Sequence, residues 1–497
     1  HSYSTITSLK SLNTADLPTP EYQGIDYFDA TIYEGNGKGQ RVGDFVPFTD
    51  SETVANSIIF NDDDSAYLTR TYTTPSSTTT FTFAFWFKPG SSTSDQYIIS
   101  TGANLGSGTT NEGYIAINHS TGGGQIWIAD PNDGSGFAIK TNATFTDSSQ
   151  WYHFCLGVDS TAGSGSRVKV EVNGVEQTVV TLGGTPTEPS SSQVMKLARD
   201  TEAKVIGRRM YNSTGYFDGY FANVYYIDGE KKQASDFGQL DTSTNRWVAK
   251  AYTGSYGNNG YKLAFGTAPG TGSGAGTDTS GEGNNWTENN FGTNDQVIDT
   301  PSLNFATIDP VISNGSTPVT VSQGNLQGVR SASGFQQAYS NFSGFRLQEN
   351  TGIYFAEVLV GSDTSNFHVG VLSGDPPSST NRYLGQDSNT YGYDLDGRKV
   401  NNGAYATYGA SYTAGDVIGI EIDTDTGSIN FHKNGADQGQ AFTAIVGPYN
   451  FAFASESGGG PGTFNFGQQM ELGGASTTLN AAAGGRFKHT PPTGAKA

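Results

Sequence analysis

An alternating aromatic run constrains the fold of this chain more than any other feature. Residues 81–87 read Phe-Thr-Phe-Ala-Phe-Trp-Phe, which places a phenylalanine at every second position. Side chains of a β-strand point alternately to opposite faces of its sheet. The spacing therefore predicts a half-buried strand whose four phenylalanines enter an apolar core.

Other segments repeat this pattern and end in tight turns. Residues 168–172 alternate in the same way and precede Asn173 and Gly174, a pair that favours a two-residue hairpin turn. Residues 417–422 and 428–431 also have strand character. The chain contains 67 glycines, 29 phenylalanines and 26 tyrosines, which is typical of many short strands joined by turns. We expect an all-β protein of two tandem β-sandwiches with extended termini.

The charge balance argues against two classes of function. The chain carries 27 basic and 47 acidic residues, a net charge of −20 at pH 7. A general nucleic-acid binder, or a protein that docks on anionic lipid, needs the opposite sign. No run of 18 apolar residues occurs, so we expect no membrane insertion. The single cysteine, Cys155, lies in an apolar run and is predicted to be a buried, inert thiol.

Composition divides the chain into five predicted parts. Residues 1–50 form an extended N-terminal lead-in punctuated by prolines, and residues 51–265 form a first strand-rich block. Residues 266–310 are an acidic, glycine-rich connector without a basic residue, which we expect to lie along a surface. Residues 311–475 form a second strand-rich block, and residues 476–497 form a C-terminal linker tail rich in glycine, alanine and proline.

Five runs of the first block carry a family resemblance. They are Ala-Tyr-Leu at 66–68, the aromatic run at 81–87, Trp-Tyr-His-Phe at 151–154, Val-Glu-Val-Asn-Gly at 170–174 and Phe-Asp-Gly-Tyr-Phe-Ala-Asn-Val-Tyr at 217–225. With these runs, residues 51–265 resemble the laminin-G-like, concanavalin-type jelly rolls. The resemblance implies that the first block is a jelly-roll sandwich.

The second block carries a different and more specific resemblance. Tyr-Phe-Ala-Glu-Val at 354–358 looks like a Trp-Tyr-Trp-Glu-Val strand, and His-Val-Gly-Val at 368–371 looks like an Ile-Gly-Ile strand. Residues 416–423 and 429–435 look like a pair of core strands. These strand patterns are typical of the SPRY family of β-sandwich binding modules, which the second block therefore resembles. The resemblance implies a second sandwich whose function is binding.

The connector and both ends carry a third resemblance. The runs at 278–286, 295–307, 12–20 and 489–497 are similar to linkers of tail-fibre-like proteins from marine tailed phages. This resemblance implies a virion appendage, located on the virion surface or otherwise extracellular, whose termini contact other copies or virion proteins. We expect residues 1–20 and 485–497 to pack on a neighbouring unit and not mainly on their own sandwiches. The alternative is that both ends are frayed.

Motifs for catalysis do not occur in the sequence. It contains no Gly-x-Ser-x-Gly nucleophile elbow, no phosphate-binding loop and no His-Glu-x-x-His zinc motif. Glu421 and Asp423 alternate onto one strand face, but Asp425 falls at a turn, so the paired carboxylates of a jelly-roll glycosidase are incomplete. We expect a non-enzymatic appendage or adhesin that binds a host-surface glycan or protein through sandwich loops. A structural filament or capsid-decoration subunit and a glycan-degrading enzyme remain the alternatives.

One loop combines aromatic and acidic residues in a way that suits ligand binding. Tyr391 and Tyr393 precede Asp394 and Asp396 within eight residues. Aromatic faces stack on sugars or apolar side chains, and carboxylates accept hydrogen bonds from hydroxyl or amide groups. We predict that these four residues contact a ligand. The alternative is a long hairpin turn with packed tyrosines.

An acidic turn is the one candidate metal site. Asp62, Asp63 and Asp64 are consecutive, and carboxylate oxygens in a loop are ligands that Ca²⁺ prefers. Laminin-G-like modules often hold calcium at a loop rim, so the resemblance strengthens the expectation that Asp62 and Asp64 bind calcium. A solvated turn without a metal is the alternative. No other cofactor is expected.

Overall fold

The computed structural model describes residues 52–92, 94–102, 112–130, 136–200, 202–242, 244–311, 319–330, 335–341, 346–361, 366–376, 381–456, 460–468 and 485–497. Within them the protein is built almost entirely of antiparallel strands, which confirms the all-β prediction. Two short 3₁₀ turns, Ala234–Asp236 and Gly274–Gly276, are the helical elements described. No described helix is long and apolar enough to cross a membrane. The predicted lead-in, 1–50, lies outside the described residues.

The first half of the described chain folds as two eight-stranded sheets and one small hairpin. One sheet has the order β10-β9-β8-β3-β13-β1-β18 with β16 also on β13, the other has the order β11-β7-β6-β5-β4-β12-β2-β17, and β14 pairs with β15. The strands are β1 (Ser57–Phe60), β2 (Tyr67–Thr71), β3 (Thr80–Pro89), β4 (Gln96–Thr101), β5 (Gly113–Asn118), β6 (Gln125–Asp130), β7 (Phe137–Thr144), β8 (Tyr152–Asp159), β9 (Val168–Val172), β10 (Val175–Glu176), β11 (Val179–Thr181), β12 (Ala203–Ile206), β13 (Gly219–Asp228), β14 (Gly238–Asp241), β15 (Arg246–Ala249), β16 (Tyr261–Leu263), β17 (Thr287–Asn289) and β18 (Gln296–Val297).

The second half folds as two seven-stranded sheets. Their orders are β19-β22-β31-β24-β25-β26-β27 and β20-β21-β32-β23-β28-β29-β30. The strands are β19 (Thr307–Ile308), β20 (Thr320–Ser322), β21 (Gln327–Val329), β22 (Gln336–Asn341), β23 (Ile353–Val360), β24 (Phe367–Ser373), β25 (Thr390–Asp394), β26 (Arg398–Asn401), β27 (Ala404–Thr407), β28 (Val417–Asp423), β29 (Ser428–Lys433), β30 (Ala436–Phe442), β31 (Tyr449–Ser455) and β32 (Gly462–Asn465).

The aromatic run lies in β3 at the centre of the first sandwich. Its four phenylalanines enter the core between the two sheets, as the alternation predicts. The opposite face of β3 is covered as well, because Ala84 packs with Tyr225 and Phe237. Trp86 joins a core that reaches the second sandwich. The prediction of a half-buried strand is therefore wrong, since both faces of β3 are buried. Cys155 is buried, and burial raises the pKa of its thiol, in keeping with an inert side chain.

Part of the predicted connector is built into the first sandwich. Within 266–310, β17 pairs with β2 at the edge of one sheet and β18 pairs with β1 at the edge of the other. Trp286 is 1% exposed and packs its ring edge-on against Tyr72 and Tyr261. The expectation that the connector lies along a surface is wrong for these residues, because a buried tryptophan and two strand pairings fix them in the core and its edges. The five domain limits stay predictions.

A buried ion pair joins the connector to the first sandwich, close to the junction with the second sandwich. Lys88 Nζ lies 2.8 Å from Asp299 Oδ2, and both side chains have no solvent exposure. The lysine also donates to the carbonyl oxygen of Phe305 at 2.8 Å, and Trp151 Nε1 donates to Asp299 Oδ1 at 2.9 Å. Burial lowers the pKa of Lys88 and raises that of Asp299, and each is opposed by the charge of the other. The pair is stable only because each charge has its partner.

Two further contacts connect the sandwiches directly. The hydroxyl of Tyr220 donates to the carbonyl oxygen of Gly324 at 2.9 Å, and the Gly324 amide donates to Asp218 Oδ1 at 3.1 Å. Around them one cluster of buried apolar side chains runs from Trp86 and Tyr220 of the first sandwich to Ile308 of the second. The two sandwiches therefore share a continuous core across their junction.

Residues 485–497 lie on the second sandwich of their own chain. Phe487 is 1% exposed, and Lys496 forms a parallel bridge with Tyr354 in β23. The prediction that this segment packs mainly on a neighbouring unit is wrong in the single chain, because the buried aromatic ring and the bridge attach it to its own sheet. The matching prediction for residues 1–20 falls outside the described residues.

The buried ion pair generates the first prediction. We expect Lys88→Met to lower the free energy of unfolding by about 3 kcal/mol or more, because it leaves the Asp299 carboxylate buried without its cation. Arg346→Met is the matched control, since Arg346 pairs with Asp375, whose side chain is 95% exposed. Chemical denaturation of both variants measures the difference. Equal losses of stability in the two variants would contradict the structural role given to Lys88.

Candidate functional site

The predicted ligand-binding residues lie on the β25–β26 hairpin of the second sandwich. The hairpin turns through 394–397, where the Gly397 amide donates to the Asp394 carbonyl oxygen at 3.1 Å. Gly397 has a φ of +84°, and a Cβ there would lie 2.4 Å from the carbonyl oxygen of Gly409. Only glycine meets both requirements, so the Asp-Gly end of the run fixes the position of the turn.

The two tyrosines of the run face inward. Tyr393 has no solvent exposure, its hydroxyl donates to the carbonyl oxygen of Ala410, and its ring centroid lies 5.2 Å from that of Phe431. Tyr391 is half-buried and packs against Phe442 with a centroid distance of 5.2 Å. Both tyrosines stand on the same strand face because they are two residues apart. The structure thus places the tyrosines toward the core, as in the packed-turn alternative.

The two carboxylates hold an arginine between them. Arg398 Nε donates to Asp394 Oδ2 at 2.8 Å, and the Arg398 amide donates to Asp394 Oδ1 at 2.8 Å. Arg398 Nη2 lies 2.8 Å from Asp396 Oδ2. Asp394 is buried, whereas the side chains of Asp396 and Arg398 are 72% and 43% exposed. The hydrogen bond that Arg398 donates to Asp394 raises the pKa of Arg398, so the guanidinium stays charged.

An aromatic surface continues from this arginine across the sheet. The Arg398 guanidinium lies 4.6 Å from the ring centroid of Tyr405, and Tyr405 lies 5.8 Å from Tyr383. Tyr383 stacks on His368 at 5.1 Å and meets Phe335 edge-on at 5.5 Å. We call these five residues the aromatic–arginine strip. Tyr405 is its most exposed aromatic ring, at 41%.

Strand register brings the strip together. His368 in β24 stands opposite Asp394 in β25, and Tyr405 in β27 stands opposite Val400 in β26. Tyr383 reaches the sheet because Gly392 has no side chain, and a Cβ there would lie 2.3 Å from the carbonyl oxygen of Leu384. Tyr383 and Tyr405 were not predicted from the sequence, because they come from other segments. Their only local signal is an aromatic residue near a turn.

His368 is the buried end of the strip. It is 4% exposed, and burial lowers its pKa to about 4. The imidazole is therefore neutral at pH 7 and supports the Tyr383 ring by stacking. The outer half of the strip can place a flat ligand group on Tyr405 while Asp396 accepts a hydrogen bond from it.

The acidic turn is a separate feature of the first sandwich. Asn61 Nδ2 donates to Asp64 Oδ2 at 2.7 Å, and the Ser65 amide donates to the Asp62 carbonyl oxygen at 3.0 Å. Burial and the charge of Asp63 raise the pKa of Asp62. No group of three or more His, Cys, Asp or Glu side chains that could hold a metal occurs among the described residues. A calcium ion at Asp62 and Asp64 would need backbone carbonyls or water, and its binding stays a prediction.

The carboxylates of the glycosidase-like run serve structural roles. Glu421 Oε2 lies 2.9 Å from His432 Nε2 on the neighbouring strand. Asp423 Oδ1 accepts the amide of Asp425 at 2.9 Å and closes the turn into β29. These contacts occupy Glu421 and Asp423 within the sheet and its turn.

Two family models match the chain. A model described as SPRY domain matches residues 353–469, and a model described as Concanavalin A-like lectin/glucanases superfamily matches residues 61–235. The protein therefore has a laminin-G-like, concanavalin-like domain followed by a SPRY domain, both of them β-sandwich folds. The strip and the β25–β26 hairpin lie within or beside the SPRY match.

Three curated animal proteins are similar to parts of the chain. The Ran-binding proteins 9/10 homolog of Drosophila melanogaster is 29% identical over 155 residues, which are 30% of this chain and 16% of that protein. Ran-binding protein 10 of Danio rerio is 31% identical over 24% of this chain and 20% of its own length. Ran-binding protein 9 of Mus musculus is 32% identical over 19% of this chain and 15% of its own length. The matched part spans no more than a fifth of these relatives.

Two solved structures are similar to parts of the chain at low sequence identity. The SPRY domain of human HERC1 has 19% sequence identity and a TM-score of 0.28, covering 33% of this chain and 99% of that one. A heptameric SAP-like pentraxin from Limulus polyphemus has 17% identity and a TM-score of 0.27, covering 37% of this chain and 80% of that one.

A buried carboxyl beside the acidic turn generates the second prediction. Burial, with the charge of Asp62 next, raises the pKa of Asp218 to about 8. Between about pH 4 and pH 8 the Asp218 carboxyl is therefore protonated in the folded chain but ionised in the unfolded chain. The stability that the bound proton contributes is lost as the pH rises from about 4 through about 8. We expect Asp218→Asn, which cannot ionise, to lose less stability than the wild type between pH 5 and pH 8.

Thermal melting at several pH values measures this difference. Asp396→Asn is the control, because its carboxyl is mostly exposed. The prediction fails if the melting temperatures of Asp218→Asn and of the wild type fall by the same amount between pH 5 and pH 8.

Proposed function

We propose that the protein is a non-enzymatic binding module that presents the aromatic–arginine strip to a protein ligand. Both of its domain classes are consistent with a protein-interaction module, and the named relatives carry a protein ligand in their names. The observation that carries the proposal is the arginine held between Asp394 and Asp396 and stacked on the exposed ring of Tyr405.

Preorganisation is what makes this geometry suited to binding. Arg398 is a long side chain that would lose conformational freedom on binding, but Asp394 already fixes its fork. Tyr405 offers a flat apolar face at little entropic cost, and Asp396 offers an exposed acceptor. A peptide that brings an apolar or aromatic group next to a hydrogen-bond donor matches these three features. A sugar offers a similar combination, so a surface glycan is the second ligand class to test.

We place this module on an extracellular or virion surface. The support is the resemblance of the runs at 278–286 and 295–307 to linkers of phage tail-fibre-like proteins. In that setting its ligand is a host-surface protein or glycan, its termini join other copies or virion proteins, and calcium at the acidic turn is part of the same proposal. A purely structural role as a filament or capsid-decoration subunit is the rival within this setting. The two roles differ in whether the isolated protein binds a ligand.

Binding assays with strip variants give the third prediction. We expect the full chain to bind members of a peptide or glycan array, and Tyr405→Ala to weaken that binding at least ~10-fold because it removes the exposed ring and the arginine's support. Leu240→Ala is the control, since Leu240 is an exposed apolar residue of the first domain. Release of reducing sugar from any bound glycan is measured in the same samples, and we expect none.

Unchanged binding by Tyr405→Ala would overturn the role of the strip. Absence of binding to every array member would favour the structural subunit. Release of reducing sugar would favour the glycan-degrading enzyme.

A further inference from the structure

A groove on the second sandwich is filled by a short segment of the same chain. The outer face of the sheet formed by β32, β23, β28 and β29 carries Phe355, Glu357, His432 and Asn465, which we call the outer groove. Residues 485–497, the docking segment, lie across it. The outer groove is separate from the aromatic–arginine strip, which lies on the other sheet of this sandwich.

An aromatic anchor fixes one end of the docking segment. Phe487 meets Phe355 edge-on, with ring centroids 5.2 Å apart, and both are at most 2% exposed. Ala495 joins the same small apolar cluster from the far end of the segment. Phenylalanine is among the side chains whose burial is most favourable, so this anchor is a main source of the segment's affinity.

A buried carboxylate of the groove is satisfied by the docking segment. Glu357 Oε2 accepts the Lys488 amide at 2.8 Å, and Glu357 Oε1 accepts the His489 amide at 2.9 Å. His489 Nδ1 lies 3.1 Å from the same Oε1, and the Glu357 side chain is only 1% exposed. Within the sheet, Asn465 also donates to Oε2 at 3.2 Å. A charged acceptor buried in this way needs the segment's donors, so the groove is built to hold an extended backbone.

The far end of the docking segment adds backbone pairing to β23. That strand pairs with β28 from Ile353 to Leu359, but it pairs with β32 only from Glu357 onward. The docking segment fills the remaining edge, since the Phe355 amide donates to the Lys496 carbonyl oxygen and the Lys496 amide donates to the Ile353 carbonyl oxygen, both at 2.9 Å. This is strand addition to a partly open edge.

Chain connectivity leaves the docking segment free to serve another copy. Gly485, where the segment begins, lies beside Gly467, two residues after β32, and the Arg486 amide donates to the Gly467 carbonyl oxygen at 2.7 Å. The connecting stretch, 469–484, has sixteen residues, enough to span about 50 Å when extended. A tether of that length is compatible with transfer of the segment to the groove of another copy.

Charge favours the transfer of a docking segment from one copy to another over other contacts between copies. The docking segment carries Arg486, Lys488 and Lys496 and no acidic residue, whereas the chain as a whole has a net charge of −20. Two copies therefore repel each other except where a basic segment meets an acidic sandwich. The groove offers the carboxylate of Glu357 to the incoming segment.

We propose that the outer groove is an assembly site that accepts the docking segment of a second copy. The contacts are the same whether the segment comes from its own chain or from the other, so exchange costs only the entropy of association. At low concentration the attached segment has the advantage of a high effective concentration, and each copy closes on itself. At high local concentration the segments exchange and join the copies. The inference names a site for the joining of copies through the termini, which is part of the proposed function, and it does not rest on the proposed ligand binding.

Mixing two complementary variants tests the proposal. Phe487→Ala keeps an intact groove but has a weakened segment, and Glu357→Gln keeps an intact segment but has a weakened groove. Neither closes on itself well, and the one good contact is between the two variants. We expect each variant alone to be monomeric in sedimentation at low ionic strength, and the mixture to form a heterodimer. Asp375→Asn replaces Glu357→Gln in the control mixture, which should stay monomeric.

A mixture that stays monomeric would overturn the proposal, provided that both variants melt cooperatively. Where a variant does not, single-cysteine chains give the second measurement, since the native Cys155 is buried. A Cβ at Gly435 would lie 3.1 Å from His489 Cβ, close to disulfide spacing. Mixed and oxidised Gly435→Cys and His489→Cys chains should yield a covalent heterodimer. Failure to do so, when the double variant closes its own disulfide, would equally overturn the proposal.

Discussion

The buried pair of Lys88 and Asp299 is the contact on which the arrangement of this protein depends. A buried ammonium or carboxylate is costly by several kcal/mol unless its partner is held in place. Lys88 comes from the central strand of the first sandwich, and Asp299 comes from the stretch that leads into the second. Their pairing therefore fixes the path of the chain between the domains. Trp151 and the Phe305 carbonyl complete the site and leave little freedom at the junction.

A fixed junction changes what the two sandwiches can do. Tandem domains joined by an exposed linker move independently, and their surfaces act as separate sites. Here the apolar core runs from Trp86 through Tyr220 to Ile308, and the Tyr220–Gly324 hydrogen bond closes its edge. The second sandwich, which carries both the aromatic–arginine strip and the outer groove, is thus held against the first. Such an arrangement suits presentation of a surface to a partner, as the proposed function requires.

Local patterns predicted the strands, whereas contacts between distant residues decided the sites. The alternation at 81–87 was enough to place β3 and its phenylalanines, because period two is a property of the strand itself. It could not show that the opposite face is buried, since the covering residues lie more than a hundred positions away. The hairpin turn at 394–397 was recognised from sequence only as the alternative to a ligand-binding loop. Tyr383 and Tyr405 were missed because strand register, which no local pattern encodes, brings them to Arg398.

The position of the docking segment could not be predicted from local sequence patterns either. Its prolines and lack of alternation predicted an extended chain, but its place on β23 rests on backbone hydrogen bonds and on Glu357, which no pattern in the segment reveals. Phe487, which anchors the segment on Phe355, was not singled out from the sequence either.

Scanning calorimetry of the full chain tests the central claim most directly. If the junction couples the two sandwiches as described, the chain unfolds in one transition whose calorimetric and van't Hoff enthalpies agree. Two resolved transitions, each with the enthalpy of a single sandwich, would show that the domains are independent and would contradict the account.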